Sequence, residues 1–167
     1  MPDQKKTADN TKAITWYNQG VELAQAGNFD EAVFCFNKAL ALDPADTNIL
    51  NTKGLALQRL GKLDEALACY NQVLIIKPED THALNDKGQV LHLQGKYEDA
   101  VNCYEKSLAV DSSPFETWYN KALALVNLQR LDDAMYSLEQ ALKISPYHIQ
   151  ATKLKQLLLR HKGKVKR

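Results

Sequence analysis

The chain has 167 residues, enough for one domain with a sizeable core. Apolar residues make up 45 % and charged residues 25 %, and the net charge is +1, so neither a disordered polyelectrolyte nor an overall polyanion binder is indicated. No apolar run reaches the 18–20 residues of a membrane helix, and the first residues lack the hydrophobic core of a secretion signal, which predicts a cytoplasmic protein without a transmembrane segment.

In chain order, residues 1–11 are polar, mixed in charge and without apolar periodicity, and a flexible N-terminus is expected there. From about 12 to 26 the apolar residues fall three and four apart, as on one face of a helix. Gly27 can take the left-handed conformation that ends it. Asp30 and Glu31 then open a second helix, where their charge suits the N-terminal dipole, and Asp64-Glu65, Glu98-Asp99 and Asp132-Asp133 repeat the device. Second helices should end before Pro44, Pro78 and Pro146, because a residue preceding proline disfavours the helical region. The third helix pair has no proline at Ser112. Ser113 there reads as an N-cap, with Pro114 in the first turn of the following helix.

These signals return with a period of 34 residues. Gly20, Gly54, Gly88 and Ala122 are so spaced, as are Ala32, Ala66, Ala100 and Ala134, and Phe36, Tyr70, Tyr104 and Leu138. A fixed period of this length marks a repeat array. The small residues let paired helices approach closely, and the large ones fill the gap towards the next repeat, with Leu40, Leu74, Leu108 and Leu142 extending the seam. Cys35, Cys69 and Cys103 also lie 34 apart. Stacked helices stand roughly 8–10 Å apart, beyond the ~7 Å Cα separation a disulfide tolerates, so reduced thiols are expected.

The pattern resembles the tetratricopeptide repeat (TPR) family. Its marks are Trp16, Gly20, Leu23, Gly27, Phe29, Ala32, Phe36, Ala39 and Pro44 in the first repeat, with matching sets after Leu50, Leu84 and Trp118. Departures include Val73 and Ser107 for the last Ala, Ser112 for Pro, and Ala122 and Gln129 for Gly. The resemblance implies an all-α fold: an α-solenoid, a right-handed superhelix of helix–turn–helix units. A single solenoid domain is expected over 12–161, with repeats at 13–46, 47–80, 81–114 and 115–148. A capping helix follows at 147–161, then a basic disordered tail, 162–167. Ala151, Leu154 and Leu158 form the cap's apolar stripe. Leu157 and Leu159 are expected to pack on the last repeat, the alternative being a self-association surface.

No phosphate-binding Gly loop, HExxH, GxSxG or CxxC pair occurs, and the four His are scattered. His82 and His92 lack a third ligand. Catalytic residues, a metal and a cofactor are therefore not assigned, and the chain reads as a non-enzyme.

By the resemblance, the concave groove is lined by the first helix of each repeat. The residues assigned to peptide binding are Tyr17, Asn18, Asn51, Leu55, Asn85, Gln89, Tyr119, Asn120 and Leu123; Val21, Asn48, Arg59, His82, Asp86, His92 and Asn127 share the inner faces. Asn18, Asn51, Asn85 and Asn120 recur at the fifth or sixth place of the four repeats. An amide offers two donors and an acceptor, so a ladder of them can hold an extended backbone without reading its sequence. Chaperone-binding members of the family carry a two-carboxylate clamp of Lys, Asn and Arg. Its places here hold Tyr17, Val21, Thr52, His82 and Asp86; none matches, and Asp86 would repel a carboxylate.

The expected function is thus a scaffold that holds a protein or peptide partner in its groove. Charge asymmetry supplies a second reading. The last 17 residues carry seven Lys and Arg and no acid, against a net −6 before them. A tail from Arg160 to Arg167 could dock on nucleic acid or acidic membrane, although a solvated end is the commoner fate of such a run and nucleic acid is disfavoured. A third reading is a homo-oligomer formed through the ends of the array.

Overall fold

A computed structural model describes the backbone of residues 2–165 and the side chains of 9–161. Among the described residues there are nine helices and no strand: α1 (Pro2–Gln25), α2 (Phe29–Leu42), α3 (Thr47–Arg59), α4 (Leu63–Ile76), α5 (Thr81–Leu93), α6 (Tyr97–Val110), α7 (Phe115–Asn127), α8 (Leu131–Ile144) and α9 (Ile149–Val165). They fall into two compact units, Met1–Val90 and Leu91–Arg167.

In the first unit α1 pairs with α2 and α3 with α4, α2 packs on α3, and α1 also touches α3. Phe36 is fully buried with Ala32, Ala39, Ile49 and Ala56 around it. Tyr70 holds the same place one repeat later, with Leu57, Ala66, Cys69 and Val90. Both rings lie against glycine: a Cβ built on Gly20 would stand 2.6 Å from Phe36 Cε1, and one on Gly54 2.7 Å from Tyr70 Cε1. In the second unit α6, α7, α8 and α9 pack in succession. Here the equivalent positions of the fourth repeat hold Ala122 and Leu138, and both are fully buried.

The turn inside each helix pair has one geometry. Gly27, Gly61 and Gly95 have φ of +84°, +73° and +75°, and Gln129 takes the same place with φ +59°. Each donates its N–H three residues back, and the next residue donates to the carbonyl five back, as from Asn28 to Leu23 and from Arg130 to Leu125, both 2.9 Å. This double bond pattern closes a helix C-terminus on a left-handed residue. The second helices lack side-chain caps; their first turns carry the acidic pairs Asp30-Glu31, Asp64-Glu65, Glu98-Asp99 and Asp132-Asp133.

First helices begin differently. Asp46 caps α3 by accepting from Asn48 N (2.8 Å) and Ile49 N (3.2 Å), and Asp80 accepts from Ala83 N (2.9 Å). Thirty-four residues further the cap is Pro114, which offers no side-chain acceptor. The expected cap at Ser113 is therefore displaced by one: Ser113 N instead donates to the Asp111 carboxylate at 2.8 Å, which holds that carboxyl below its usual pKa. The next equivalent is His148, whose Nδ1 accepts from Ala151 N at 3.3 Å before α9.

Three other features depart from the sequence reading. The first helix starts at Pro2, not near 12, because Gln, Lys and Ala sustain a helix without an apolar stripe. The last helix runs from Ile149 to Val165, beyond the expected 161; residues 166 and 167 of the basic tail, and the side chains of 162–165, lie outside the described residues. Leu157 and Leu159 are not buried on the last repeat: they are 62 % and 53 % exposed, with Leu157 bordering a cleft beside Val126 and Leu131, whereas Ala151 and Leu158 are buried.

Cys35, Cys69 and Cys103 are buried free thiols. Burial pushes the Cys35 and Cys69 pKa up, with Glu31 adding at Cys35; Lys53 opposes and Glu65 adds at Cys69. A raised thiol pKa and burial both reduce reactivity.

Candidate binding surface

Two clefts flank the contact of α1 with α3 in the first unit. The larger, about 400 Å³, is walled by Ala13, Ile14 and Tyr17 of α1, by Asn48, Asn51 and Thr52 of α3, and by His82 at the start of α5. The loops before α3 and α5 add Asp43, Asp46 and Asp80. The smaller, about 290 Å³, is mostly apolar, with Val21, Ala24, Phe29, Leu55 and Ala56, and carries Arg59. Thr52 belongs to both walls, and its hydroxyl lies 3.5 Å from the Tyr17 hydroxyl. Helix geometry explains the division. Asn48, Thr52, Leu55 and Arg59 recur three and four apart and so share one face of α3.

Asn51 is the polar outlier of this surface. Its Oδ1 is buried and has no hydrogen-bond partner among the described residues. A buried acceptor left unpaired costs roughly 1–3 kcal/mol, which a donor from a bound segment would offset. Further along, Asn85 Nδ2 and Gln89 Nε2 both donate to Asp86 Oδ1, at 3.3 and 3.5 Å. Burial pushes the Asp86 carboxyl up; Asn85 and His82 pull it back and Asp80 adds to the rise.

The second unit holds the remaining candidates on α7. Tyr119 stacks on Phe115 with centroids 5.7 Å apart, and the His148 ring sits 4.3 Å from Phe115 and 5.5 Å from Tyr119. Leu123 is half-buried, and its carbonyl accepts from Asn127 Nδ2, which also lies 3.0 Å from His92 Nε2. An amide nitrogen only donates, so this contact is a hydrogen bond when His92 Nε2 is the acceptor; burial lowers the His92 pKa.

Of the predicted residues, Tyr17, Asn51 and Leu55 are brought together in the walls of the two clefts. Asn18 is exposed and belongs to neither wall. Asn85 and Gln89 converge on Asp86, and Tyr119, Asn120 and Leu123 share α7. Sequence reasoning missed Asp43, Asp46 and Asp80. The signal was present: Asp46-Thr47 and Asp80-Thr81 are cap-and-start pairs 34 residues apart. Among the described residues no three His, Cys, Asp or Glu gather as metal ligands, and no helix is long and apolar enough to cross a membrane.

Three family models, each described as tetratricopeptide repeat, match residues 13–46, 46–113 and 86–149, and so together span 13–149. The chain belongs to the tetratricopeptide repeat family. No curated protein matches it. Among solved structures, MamA from Desulfovibrio magneticus RS-1 is similar with a TM-score of 0.85 at 22 % identity, over 91 % of this chain and 86 % of that one. PilF of Pseudomonas aeruginosa gives 0.84 at 18 % identity, over 94 % and 72 %. The first TPR of Spaghetti (RPAP3), bound to the HSP90 peptide SRMEEVD, gives 0.68 at 21 % identity, over 70 % and 93 %. The fold is thus that of the all-α TPR solenoids.

Proposed function

We propose that this TPR chain is a non-enzymatic, cytoplasmic interaction module that holds a segment of a protein partner against the first helices of its repeats. The observation that carries the reading is the buried, unpartnered Oδ1 of Asn51 in the wall of an open cleft that also holds Tyr17. A surface that leaves a hydrogen-bonding amide unused between apolar and polar walls suits an extended backbone, which brings a donor and an acceptor with every residue. We assign Tyr17, Asn18, Asn51, Leu55, Asn85 and Gln89 to contacts in the first unit and Tyr119, Asn120 and Leu123 to contacts in the second. The peptide bound by the RPAP3 domain shows that this fold can hold such a segment in that protein.

The test is affinity capture from the cognate lysate with three baits: the intact chain, an Asn51/Asn85/Asn120→Ala variant, and a truncation after Arg160. The expected result is a protein held by the first and third baits and lost by the second. Material lost only on truncation, and removed by moderate salt, would transfer the function to the basic tail. An identical set on all three baits refutes both assignments.

A further inference from the structure

The two clefts of the first unit differ in charge, and the difference has a direction. The Asp43, Asp46 and Asp80 carboxylates stand in the wall of the larger cleft, which among the described residues contains no Lys or Arg. Among the described residues no cation is ion-paired with any of the three. Asp46 and Asp80 cap helices, and each helix N-terminus offsets about half a charge, so a charge of about −2 remains at this end. His82, at the start of α5, and the Tyr17 phenol are the other titratable groups in the wall. The smaller cleft is apolar, with Arg59 as its charge, and Arg59 too has no carboxylate partner among the described residues.

Asp46 and Arg59 bracket α3. Thirteen residues of helix rise about 20 Å. An extended chain covers that distance in about six residues at ~3.3 Å each. Midway lie Asn51, with its unpaired buried oxygen, and Thr52, common to both walls.

We propose that the ligand of the first unit is an extended peptide segment of about six residues laid along α3 in one orientation. A basic end, Lys or Arg side chains, sits against Asp43, Asp46 and Asp80. An apolar side chain enters the Leu55 cleft, and a carboxylate beyond it meets Arg59. This rests on the reading of the first unit as a segment-binding surface and goes further in fixing the chemistry and polarity of the segment.

The experiment is selection from a library of random hexapeptides with free C-terminal carboxylates, displayed on beads, against the full-length chain. Affinities of the enriched peptides are then measured by fluorescence polarisation. Lys or Arg should be enriched at one end and an apolar residue followed by an acid at the other. Asp43→Lys, at a carboxylate whose one hydrogen bond is a long 3.4 Å contact to Ala45 N, should weaken the best peptide about tenfold. Arg59→Glu should weaken it by about the same factor, and a peptide of exchanged charges should regain affinity only on the Asp43→Lys/Arg59→Glu double variant. Thermal melts confirm that each variant folds. Peptides that are enriched and lost on Asn51→Ala, yet carry no basic end, would overturn the polarity and leave the binding surface standing. No peptide enriched in a manner that depends on Asn51, Asp43 or Arg59 would overturn both.

Discussion

Gly54 and Tyr70 are in contact so close that one methyl group would not fit between them. A Cβ at Gly54 would lie 2.7 Å from Tyr70 Cε1 and 2.8 Å from Cζ, inside any van der Waals separation. Tyr70 cannot retreat, because it is fully buried and its hydroxyl donates to Gln58 Oε1 at 3.4 Å. Gly54→Ala should therefore cost about 1–3 kcal/mol, the usual range for overpacking. The fourth repeat shows a way out, since Ala122 there accompanies Leu138 instead of a ring. Gly54→Ala/Tyr70→Leu should cost less than the sum of its parts. Urea unfolding of the two single variants and the double variant measures that coupling.

Gln129 occupies a left-handed turn position that is glycine in the three preceding repeats. An L-residue there gives up roughly 1–2 kcal/mol of conformational energy. Gln129→Gly should stabilise the second unit by up to about 1 kcal/mol, the gain being trimmed by the larger entropy of an unfolded glycine. Gly61→Ala should do the reverse by about 1 kcal/mol, through φ alone, since a Cβ at Gly61 meets nothing within 4 Å. Denaturant midpoints of the two variants should move in opposite directions.

Asp46 and Pro114 hold equivalent positions, yet only the aspartate caps its helix. Asp46→Ala should cost about 1 kcal/mol. Pro114→Asp should gain a comparable fraction, because the backbone there is already extended (φ −71°, ψ 119°) as a cap requires. Thermal melts followed at the helical circular-dichroism band would show it.

Asp86 works against the fold at neutral pH. Burial holds its folded pKa above the value of the unfolded chain. Between those two values the folded protein binds the extra proton, so stability falls as pH rises through that window, and the full loss persists above it. Asp86→Asn, which keeps an acceptor for Asn85 and Gln89, should be more stable than the parent at pH 7. Below about pH 4, where the unfolded carboxyl is also protonated, the two should converge. Equal stabilities at both pH values would refute the account.

Much of the architecture was legible in the sequence for a definite reason. Gly20, Ala32 and Phe36 are dictated by contacts inside a repeat, so they recur with it, and so do Gly27 and the Asp30-Glu31 pair. The ends were less legible. Pro2 to Thr11 extends α1 without an apolar stripe, and Leu157 and Leu159 look like core residues by composition although they are more than half exposed. The candidate surface was read in part: Tyr17, Asn51 and Leu55 were found from their place in the repeat, whereas Asp43 and Asp80 lie in the connections between repeats and reach the cleft only once the chain has folded.

The matched pairs of glycine with ring, and of alanine with leucine, limit how such a chain can be rebuilt. Exchange of whole repeats carries both members of a pair together. A crossover within a pair that joins the Gly54 half of one repeat to the Leu138 half of another, or the Ala122 half to the Tyr70 half, would join halves that do not match. Alanine would then meet a ring and collide, or glycine would meet leucine and leave a void. Viable recombination points should therefore fall in the loops that join one helix pair to the next, at Asp43–Asp46 or Lys77–Asp80, and not in the tight turns within a pair.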